Sequence, residues 1–256
     1  MPQGSASATL LPASPWSSHR LFLRTWKRSW RCSVPFIRLH LFGDLPHGFG
    51  TRETGVSELG PFGLSPEELL SLRQVHGARV FVARGWPDDP PEADAAVTDR
   101  DIALAIWTAD CFPVLFYDPK RAVIGAAHGG WRGILMGIIG ETLRVMVEEF
   151  GCRKEEVLCG IGPGIGPCCY EVGQEVAEGY RRHFGEGVLR ERGGRTFLDL
   201  RESIRLELRK AGISPERIEE VSLCTRCEGE LFYSYRRGDR GKLLNFIALG
   251  GRRCSS

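Results

Sequence analysis

The sequence predicts an α/β fold, a layered single domain in which a mixed β-sheet is flanked by helices. Three observations support this class: short apolar runs bounded by turn residues, apolar positions at helical spacing, and no regular alternation of strand and helix. A chain of 256 residues can bury a sizeable core, and no interior linker divides it. We therefore expect one domain over residues 36–250, an extension at 1–35 and a tail at 251–256.

Short apolar runs between turn signals are typical of buried strands. Two of these runs end in residues that can do chemistry: Asp110 and Cys111 follow one run, and His128 ends another. Reactive side chains at the ends of buried strands are typical of an active site. The predicted strands cover 79–83, 102–108, 113–118, 122–127, 158–161, 221–223 and 244–249.

Capping residues and periodicity predict the helices. The stretch SPEE, starting at Ser65, combines a capping serine, an early proline and acidic residues near the positive end of the helix dipole, which predicts a short helix over 65–72. Apolar residues recur at helical spacing over 134–150. Further helices are predicted at 173–184 and between a capping Asp199 and Gly212.

The net charge of +2 is unevenly distributed along the chain. Residues 1–43 carry six basic residues and no acidic one, and the remainder has 28 basic against 32 acidic residues. The body of the protein therefore lacks the basic stripe of a nucleic-acid-binding protein. Residues 1–35 are rich in Ser, Pro, Arg and Trp and fit either a transit peptide or an extension without its own fold; we favour the extension.

The nine cysteines are an odd number in a chain without a secretory signal. This favours reduced thiols in a cytoplasmic protein over a disulfide framework. No apolar stretch approaches the roughly 20 residues of a membrane helix, so we expect no membrane association.

Two histidines and a cysteine, His76, His128 and Cys111, form a candidate three-ligand set for Zn²⁺. Two imidazoles and a thiolate would leave a fourth position open to water or substrate, which distinguishes a catalytic zinc from a structural one. Each residue also has an ordinary explanation, since a lone cysteine after a strand is often a small buried hydrophobic residue. Asp110, beside one ligand, is a candidate proton shuttle or orienting partner of a histidine.

A glycine-rich turn, HGGWRG, lies between a predicted strand and a predicted helix. Gly129 and Gly130 would let backbone N–H groups face an anion, and Arg132 would add a charge-assisted bond to a phosphate. The glycine spacing fits neither a P-loop nor a dinucleotide fingerprint, and a tight turn needing small residues explains it equally well. Arg52 and Arg237 are weaker candidates for the same phosphate.

Two other clusters have a simpler explanation. Cys168-Cys169 and Cys224-x-x-Cys227 offer four sulfurs, but adjacent cysteines are poor partners in a tetrahedral site, so we expect reduced thiols in or near the core. The stretch YSYRR, residues 233–237, could offer rings and cations to a heterocycle and a phosphate. An exposed basic turn is the simpler interpretation.

Seven motifs in a consistent order carry a family resemblance: RQVHG, EADAAVTD, TADCFPVLFYD, AAHGGWRG, GIGPGIGPCCYEVG, LCTRC and LFYSYRR. Over residues 45–250 the chain resembles the multicopper polyphenol oxidase (laccase-domain) family, also described as the purine nucleoside phosphorylase or peptidoglycan editing factor family. The resemblance implies a layered mixed fold similar to that of bacterial cysteine deamidases. It implies a metal site of His76, Cys111 and His128. The implied reactions are phosphorolysis of adenosine, inosine and S-methyl-5'-thioadenosine, and deamination of adenosine.

One segment departs from the family pattern. Between Ser57 and Gln74 the chain is shorter than in the family and lacks its His-Val-Gly-Asp motif. We expect this wall of the pocket to be shortened, or to be rebuilt by the helix at 65–72, and either change would alter the range of substrates.

The copper in the family's name can be weighed by counting histidines. A laccase copper cluster uses many histidines, several in His-x-His pairs, whereas this chain has six and no such pair. That excludes a laccase-type cluster. A single Cu²⁺ in the same pocket stays an alternative to zinc, because Cu²⁺ binds most nitrogen and sulfur sites more tightly.

The leading hypothesis is a zinc-dependent enzyme that binds a purine nucleoside and phosphate, as a monomer or small homo-oligomer. In the first alternative, Cys111 is a nucleophile and His128 its base, in a metal-independent hydrolase or amidase acting on cell-wall-type or amide substrates. A polyphenol oxidase with a single copper is the second alternative. A metal-binding protein without catalysis is the third.

Overall fold

A computed structural model describes residues 35–250, so the expected tail and all of the expected extension but Pro35 lie outside the described residues. The strands are β1 (Phe36–Ile37), β2 (His47–Gly50), β3 (Leu69–Ser71), β4 (Val80–Val82), β5 (Ala95–Thr98), β6 (Ala103–Thr108), β7 (Phe112–Asp118), β8 (Val123–Gly129), β9 (Leu158–Ile161), β10 (Glu171–Val172), β11 (Leu189–Arg192), β12 (Arg195–Leu198), β13 (Ile218–Glu220) and β14 (Leu243–Ile247). The α-helices are α1 (Trp131–Leu135), α2 (Ile138–Phe150), α3 (Gln174–Phe184) and α4 (Leu200–Lys210). Short 3₁₀ helices cover His40–Phe42, Val56–Phe62, Pro66–Glu68, Lys154–Glu156, Glu186–Val188, Pro215–Arg217 and Tyr235–Arg237.

The strands form three sheets. The largest has the order β13-β9-β7-β8-β5-β4, with antiparallel central pairs and a parallel pair at each edge. The second, β1-β2-β14-β6-β3, is antiparallel except for its last pair. The third, β10-β12-β11, is antiparallel. The predicted α/β class with mixed sheets and flanking helices is confirmed.

The main core lies between the six-stranded sheet and the helices. Helix α2 packs across β8, β5 and β4 and buries Ile139, Leu143 and Met146 there. A second cluster, around Phe36, Leu59 and Phe246, packs on the five-stranded sheet. Each such side chain contributes about 1.5–3 kcal/mol when buried, so the two clusters hold the strands in register. Within residues 35–250 no helix combines the length and apolarity needed to cross a membrane.

Six of the seven predicted strands correspond to β4, β6, β7, β8, β9 and β14. The strand predicted at 221–223 is wrong, because the residues that pair are those of β13, Ile218–Glu220, which immediately precede it in the chain. The ladder with β9 starts with Ile218 opposite Cys159 and ends with the Val221 N–H donating to the Ile161 carbonyl. The stretch Val221-Ser222-Leu223 alone did not show that the three preceding residues form the ladder.

The helix predicted over 65–72 is also wrong. The capping interaction exists, since the Glu68 carboxylate accepts a hydrogen bond from the Ser65 N–H at 2.7 Å. Only one 3₁₀ turn follows, after which β3 pairs parallel with β6 and buries Leu70. The short segment before Gln74 is therefore an edge strand and not a helical wall, because pairing with β6 outweighs the local helix signal.

The predicted helix over 134–150 is broken in two. Gly137 adopts the left-handed conformation at φ 82°, which ends the turn of α1 and restarts the chain in α2. The helix predicted after Asp199 is confirmed as α4. The Asp199 carboxylate accepts from the Glu202 N–H at 3.0 Å, and Gly212 follows the helix at φ 97°.

A buried carboxyl on α4 makes stability depend on pH. Burial raises the pKa of Glu207 from its usual value of 4.5 to about 7, and one of its oxygens has no hydrogen-bond partner. Because the folded state holds this proton more tightly, the stabilising contribution is present below pH 4.5 and is lost as the pH rises through 7. We expect Glu207→Gln to be more stable than the wild type by about 2–3 kcal/mol at pH 8, and not at pH 4. Urea unfolding at both pH values measures this.

The control is Glu175→Gln, which changes an exposed glutamate at the start of α3. Its unfolding curves should follow those of the wild type at both pH values. A Glu207→Gln curve that also follows the wild type from pH 4 to pH 8 would contradict the raised pKa.

Candidate functional site

The strand register brings Cys111 and His128 to the same end of the six-stranded sheet. Strands β7 and β8 are antiparallel with Pro113 opposite His128, so the start of β7 lies beside the end of β8. Cys111 immediately precedes β7, and His76 comes from the loop between β3 and β4. A ring nitrogen of each histidine and the Cys111 Sγ lie within 4.8 Å of one another. The three side chains named as candidate ligands are thus neighbours.

Asp94, which was not among the predicted site residues, hydrogen-bonds to the His128 ring and to the backbone of the His76 loop. It is fully buried next to β5, which pairs with β8. Its carboxylate accepts from Nδ1 of His128 at 2.8 Å and from the backbone N–H groups of Val75, His76 and Gly77 at 3.1, 2.9 and 2.7 Å. With Nδ1–H held by a carboxylate, Nε2 of His128 is the nitrogen left for a ligand. The sequence did contain a signal for this residue, namely an aspartate next to an apolar run. Such an aspartate is expected to be buried, and a buried carboxylate needs a partner.

The His76 loop is held in a strained conformation. His76 has φ 60°, a left-handed value that non-glycine residues seldom adopt and that concentrates at functional sites. The Gln74 side chain fixes the loop from the other side, donating to the Trp107 carbonyl and accepting from the Trp107 N–H, both at 2.9 Å. Together with the Asp94 contacts, these bonds hold the His76 ring beside His128, at a centroid separation of 4.7 Å.

Gly130 leaves the space in which the three donors meet. A Cβ at this position would lie 2.9 Å from His76 Nδ1 and 3.4 Å from Cys111 Sγ. Two imidazoles and a thiolate around a space that one methyl group would fill suit a zinc or copper ion. The N–H of Gly130 donates to the His128 carbonyl at 3.1 Å, and Gly129 lies in the ladder opposite Phe112. Packing therefore explains these glycines, and the Gly130 N–H is engaged within the chain.

The charges of the site are strongly coupled. Burial alone would raise the pKa of Cys111, but hydrogen bonds with His128 and His76 outweigh it and lower the pKa to about 7. Burial alone would lower the pKa of His128, but Asp94 and Cys111 raise it to about 9. Burial would also raise the pKa of Asp94, and the His128 hydrogen bond and backbone donors lower it. The thiolate form that a metal needs is thus favoured, and a bound cation would displace the imidazole proton.

The Asp110 carboxylate has its hydrogen-bond partners in the segment 225–236. It accepts from Thr225 Oγ1 at 2.6 Å, Ser234 Oγ at 3.1 Å and the Arg236 N–H at 2.7 Å. The histidine-orienting role suggested for Asp110 belongs to Asp94. Asp110 instead anchors the segment 225–236 beside Cys111, from a left-handed backbone at φ 86°.

The three candidate phosphate-binding arginines differ in availability. Arg52 and Arg237 both pair with Asp239, and Arg237 also donates to the Thr225 carbonyl, so they hold the chain around residue 239. Arg132 is exposed, its guanidinium lies 5.0 Å from the Trp131 ring centroid, and it forms no ion pair within the described part of the chain. Arg132 is therefore the candidate with a free guanidinium.

The expectation that the other four cysteines lie in or near the core is wrong for two of them, while all four are free thiols as expected. Their sulfurs, those of Cys168, Cys169, Cys224 and Cys227, lie within 4.8 Å of one another, so this cluster could bind a metal. Cys168 and Cys227 are exposed and not in the core. No disulfide links the cysteines between residues 35 and 250.

An Asp94→Asn variant is expected to bind Zn²⁺ about 10–100-fold more weakly than the wild type, the usual cost of losing a carboxylate that orients a metal-binding histidine. Asparagine has one acceptor oxygen, and its NH₂ group would face N–H donors of the His76 loop. Competition with a chromogenic chelator measures the affinity. Asp89→Asn, at an exposed position, is the control. Unchanged zinc affinity in Asp94→Asn would exclude the orienting role.

The fold and the site define a class: a mixed α/β domain with a His–Cys–His cluster at the end of its main sheet, in which His128 is buried and His76 is exposed. Residues 57–250 match the family model described as multi-copper polyphenol oxidoreductase laccase. The chain belongs to this laccase-domain family, as its motifs indicated.

Relatives and solved structures agree with this assignment. The chain is 38% identical over 242 residues to a purine nucleoside phosphorylase of Deinococcus radiodurans, covering 81% of this chain and 90% of the relative. It is 31% identical over 194 residues to purine nucleoside phosphorylase LACC1 of Mus musculus, covering 73% of this chain and 45% of that longer relative. The crystal structure of the hypothetical protein YfiH from Bacillus licheniformis superposes with a TM-score of 0.77 at 27% identity, covering 85% of this chain and 98% of that one.

Proposed function

We propose that this chain is a metal-dependent purine nucleoside enzyme of the cytoplasm. Its reactions are phosphorolysis of adenosine, inosine and S-methyl-5'-thioadenosine to the free base and the (methylthio)ribose 1-phosphate, and hydrolytic deamination of adenosine to inosine. The observation that carries the proposal is the meeting of His76, Cys111 and His128 around the space left by Gly130. The relatives named purine nucleoside phosphorylases supply the substrate class.

The three donors would hold one Zn²⁺, or Cu²⁺ as the alternative, since both ions bind imidazole and thiolate. A bound ion would supply Lewis-acid chemistry and make a water molecule reactive near neutral pH. Asp94 fixes the tautomer of His128 by accepting its Nδ1–H. It also holds His76 in place through the N–H groups of that loop.

Arg132 is the residue that we assign to phosphate. Its guanidinium is exposed four positions after His128 and has no carboxylate partner among residues 35–250. A planar guanidinium matches a phosphate with two parallel hydrogen bonds. Asp110 keeps the 225–236 segment against the cysteine, and its use as a proton shuttle stays a prediction.

Product analysis by chromatography tests the proposal. The zinc-loaded protein, incubated with adenosine and phosphate, should release adenine and ribose 1-phosphate, and without phosphate it should release inosine. Both reactions should cease after chelation and return with zinc. Cys111→Ala, purified in the same way, controls for contaminating host enzymes. No base from any of the three nucleosides and no inosine would overturn the proposal.

A second candidate function has its own supporting observation. The Cys111 Sγ lies within 4.8 Å of a ring nitrogen of His128, and Asp94 holds Nδ1 of the same ring, which is the order of nucleophile, base and orienting group in cysteine hydrolases. His76 has no task in such an enzyme. Amide hydrolysis that survives chelation, with an acyl adduct on Cys111 in mass spectra, would favour this function over the first.

A further inference from the structure

A second cluster of donors lies apart from the proposed active site. The Cys227 Sγ is 3.6 Å from the Cys168 Sγ and 3.4 Å from the Cys169 Sγ, and all four sulfurs of the cluster lie within 4.8 Å of one another. A tetrahedral zinc with Zn–S bonds of about 2.3 Å places its sulfurs about 3.8 Å apart. The four sulfurs are thus already near the spacing that one zinc ion requires, and the adjacency of Cys168 and Cys169 does not prevent it.

Backbone hydrogen bonds hold the two cysteine-bearing loops of the cluster next to each other. One loop turns at Gly166, where the Cys169 N–H donates to the Gly166 carbonyl at 2.9 Å. The other turns at Cys224, whose carbonyl accepts from the Glu228 N–H at 3.0 Å. The Gly166 N–H donates to the Cys224 Sγ at 3.2 Å, and a hydrogen bond of this kind favours a thiolate. A Cβ on Gly166 would lie 3.2 Å from the Cys168 Sγ, so glycine permits the close approach.

The surrounding charge suits a thiolate-rich site. Four thiolates around Zn²⁺ carry a net charge of −2, which needs nearby cations. Arg226 lies between the two cysteines of the second loop, and Arg192 donates to the Cys168 carbonyl at 3.0 Å. Both arginines, with Arg195 and Arg236, line the hollow that contains Cys168 and Cys169.

We propose that Cys168, Cys169, Cys224 and Cys227 bind a structural Zn²⁺ as four thiolate ligands. The ion would join the loop at 164–169 to the turn at 224–227. Both of these segments bond to Asp110: the Ile165 N–H donates to its carbonyl at 2.8 Å, and Thr225 donates to its carboxylate. The site would therefore stabilise the wall beside Cys111. This inference does not depend on the proposed function.

The test uses the full chain, expressed with zinc and purified without chelators, in the His76→Ala/His128→Ala background that removes the first set of ligands. Elemental analysis should find a single zinc ion per chain in this double variant, and none after Cys227→Ser is added. Cys159→Ala, at a buried cysteine outside the cluster, is the matched control and should keep the zinc. Replacement by Co²⁺ should give the intense visible bands and sulfur charge-transfer bands of a tetrahedral four-thiolate site.

The variant Cys227→His tests the same ligand if Cys227→Ser does not fold. Histidine supplies a nitrogen ligand, so this variant should keep the metal and shift the Co²⁺ spectrum to that of three sulfurs and one nitrogen. A metal-free double variant with four freely reactive thiols would overturn the proposal. A disulfide from Cys227 to Cys168 or Cys169, found by peptide mapping of the protein as isolated, would overturn it as well.

Discussion

The His76→Asn variant is expected to bind zinc at the His–Cys–His site at least about 100-fold more weakly than the wild type, with a similar fall in nucleoside turnover. Losing a carboxylate that only orients a ligand costs about 10–100-fold in metal affinity, so losing a ligand should cost more. Asparagine is chosen because His76 has φ 60°, a conformation that asparagine adopts more readily than most residues. The side chain is exposed, so the fold should be retained. Zinc titration and steady-state kinetics measure the two effects.

His183→Asn, which alters an exposed histidine on α3, is the control and should match the wild type in both assays. The variant also separates the two candidate functions, because a Cys111–His128–Asp94 hydrolase does not use His76. If His76→Asn loses its zinc and keeps its full activity, the metal-dependent proposal fails.

Two of the three candidate ligands could be named from sequence because each is an uncommon side chain next to a recognisable apolar run, whereas His76 was placed in a loop. His128 ends β8 and Cys111 precedes β7, and both strands were predicted from their apolar residues. Their spacing along the chain could not show that they meet, because this depends on the antiparallel register that puts Pro113 opposite His128; the family resemblance carried that expectation. Asp94 was missed for the same reason: only the pairing of β5 with β8 places its carboxylate beside the His128 ring.

Local signals failed where a partner from elsewhere in the chain decides the conformation. The Ser65 cap predicts a helix, and the turn that it starts gives way to β3 because β6 offers an edge to pair with. Cys168 and Cys169 looked unsuited to a shared site because they are adjacent. Their sulfurs nevertheless both approach Cys227, which lies 58 residues from Cys169 in the chain. Spacing along a sequence cannot show such a meeting.

Asp110→Ala is expected to destabilise the protein by about 3–5 kcal/mol, because it leaves several donors without an acceptor and each buried unsatisfied group costs about 1–3 kcal/mol. Thr225, Ser234 and the Arg236 N–H would lose their common acceptor, and the side chain that they surround is only 8% exposed. Urea unfolding measures the loss. Asp44→Ala, at an exposed aspartate, should stay within about 0.5 kcal/mol of the wild type.

The variant Asp110→Asn distinguishes two roles of Asp110, which are to hold the segment 225–236 by hydrogen bonds and to transfer a proton in the reaction. Its NH₂ group would face the Arg236 N–H or the Thr225 hydroxyl in place of an acceptor, so an anchoring role predicts a clear loss of stability for this variant too. At a temperature where the variant is fully folded, its turnover should stay within about tenfold of the wild type, because general acid–base residues contribute about 100-fold or more. Wild-type stability with turnover abolished would be the opposite result. Asp110 would then be the shuttle first suggested by its place beside Cys111, and the hydrogen bonds to 225–236 would serve only to orient it.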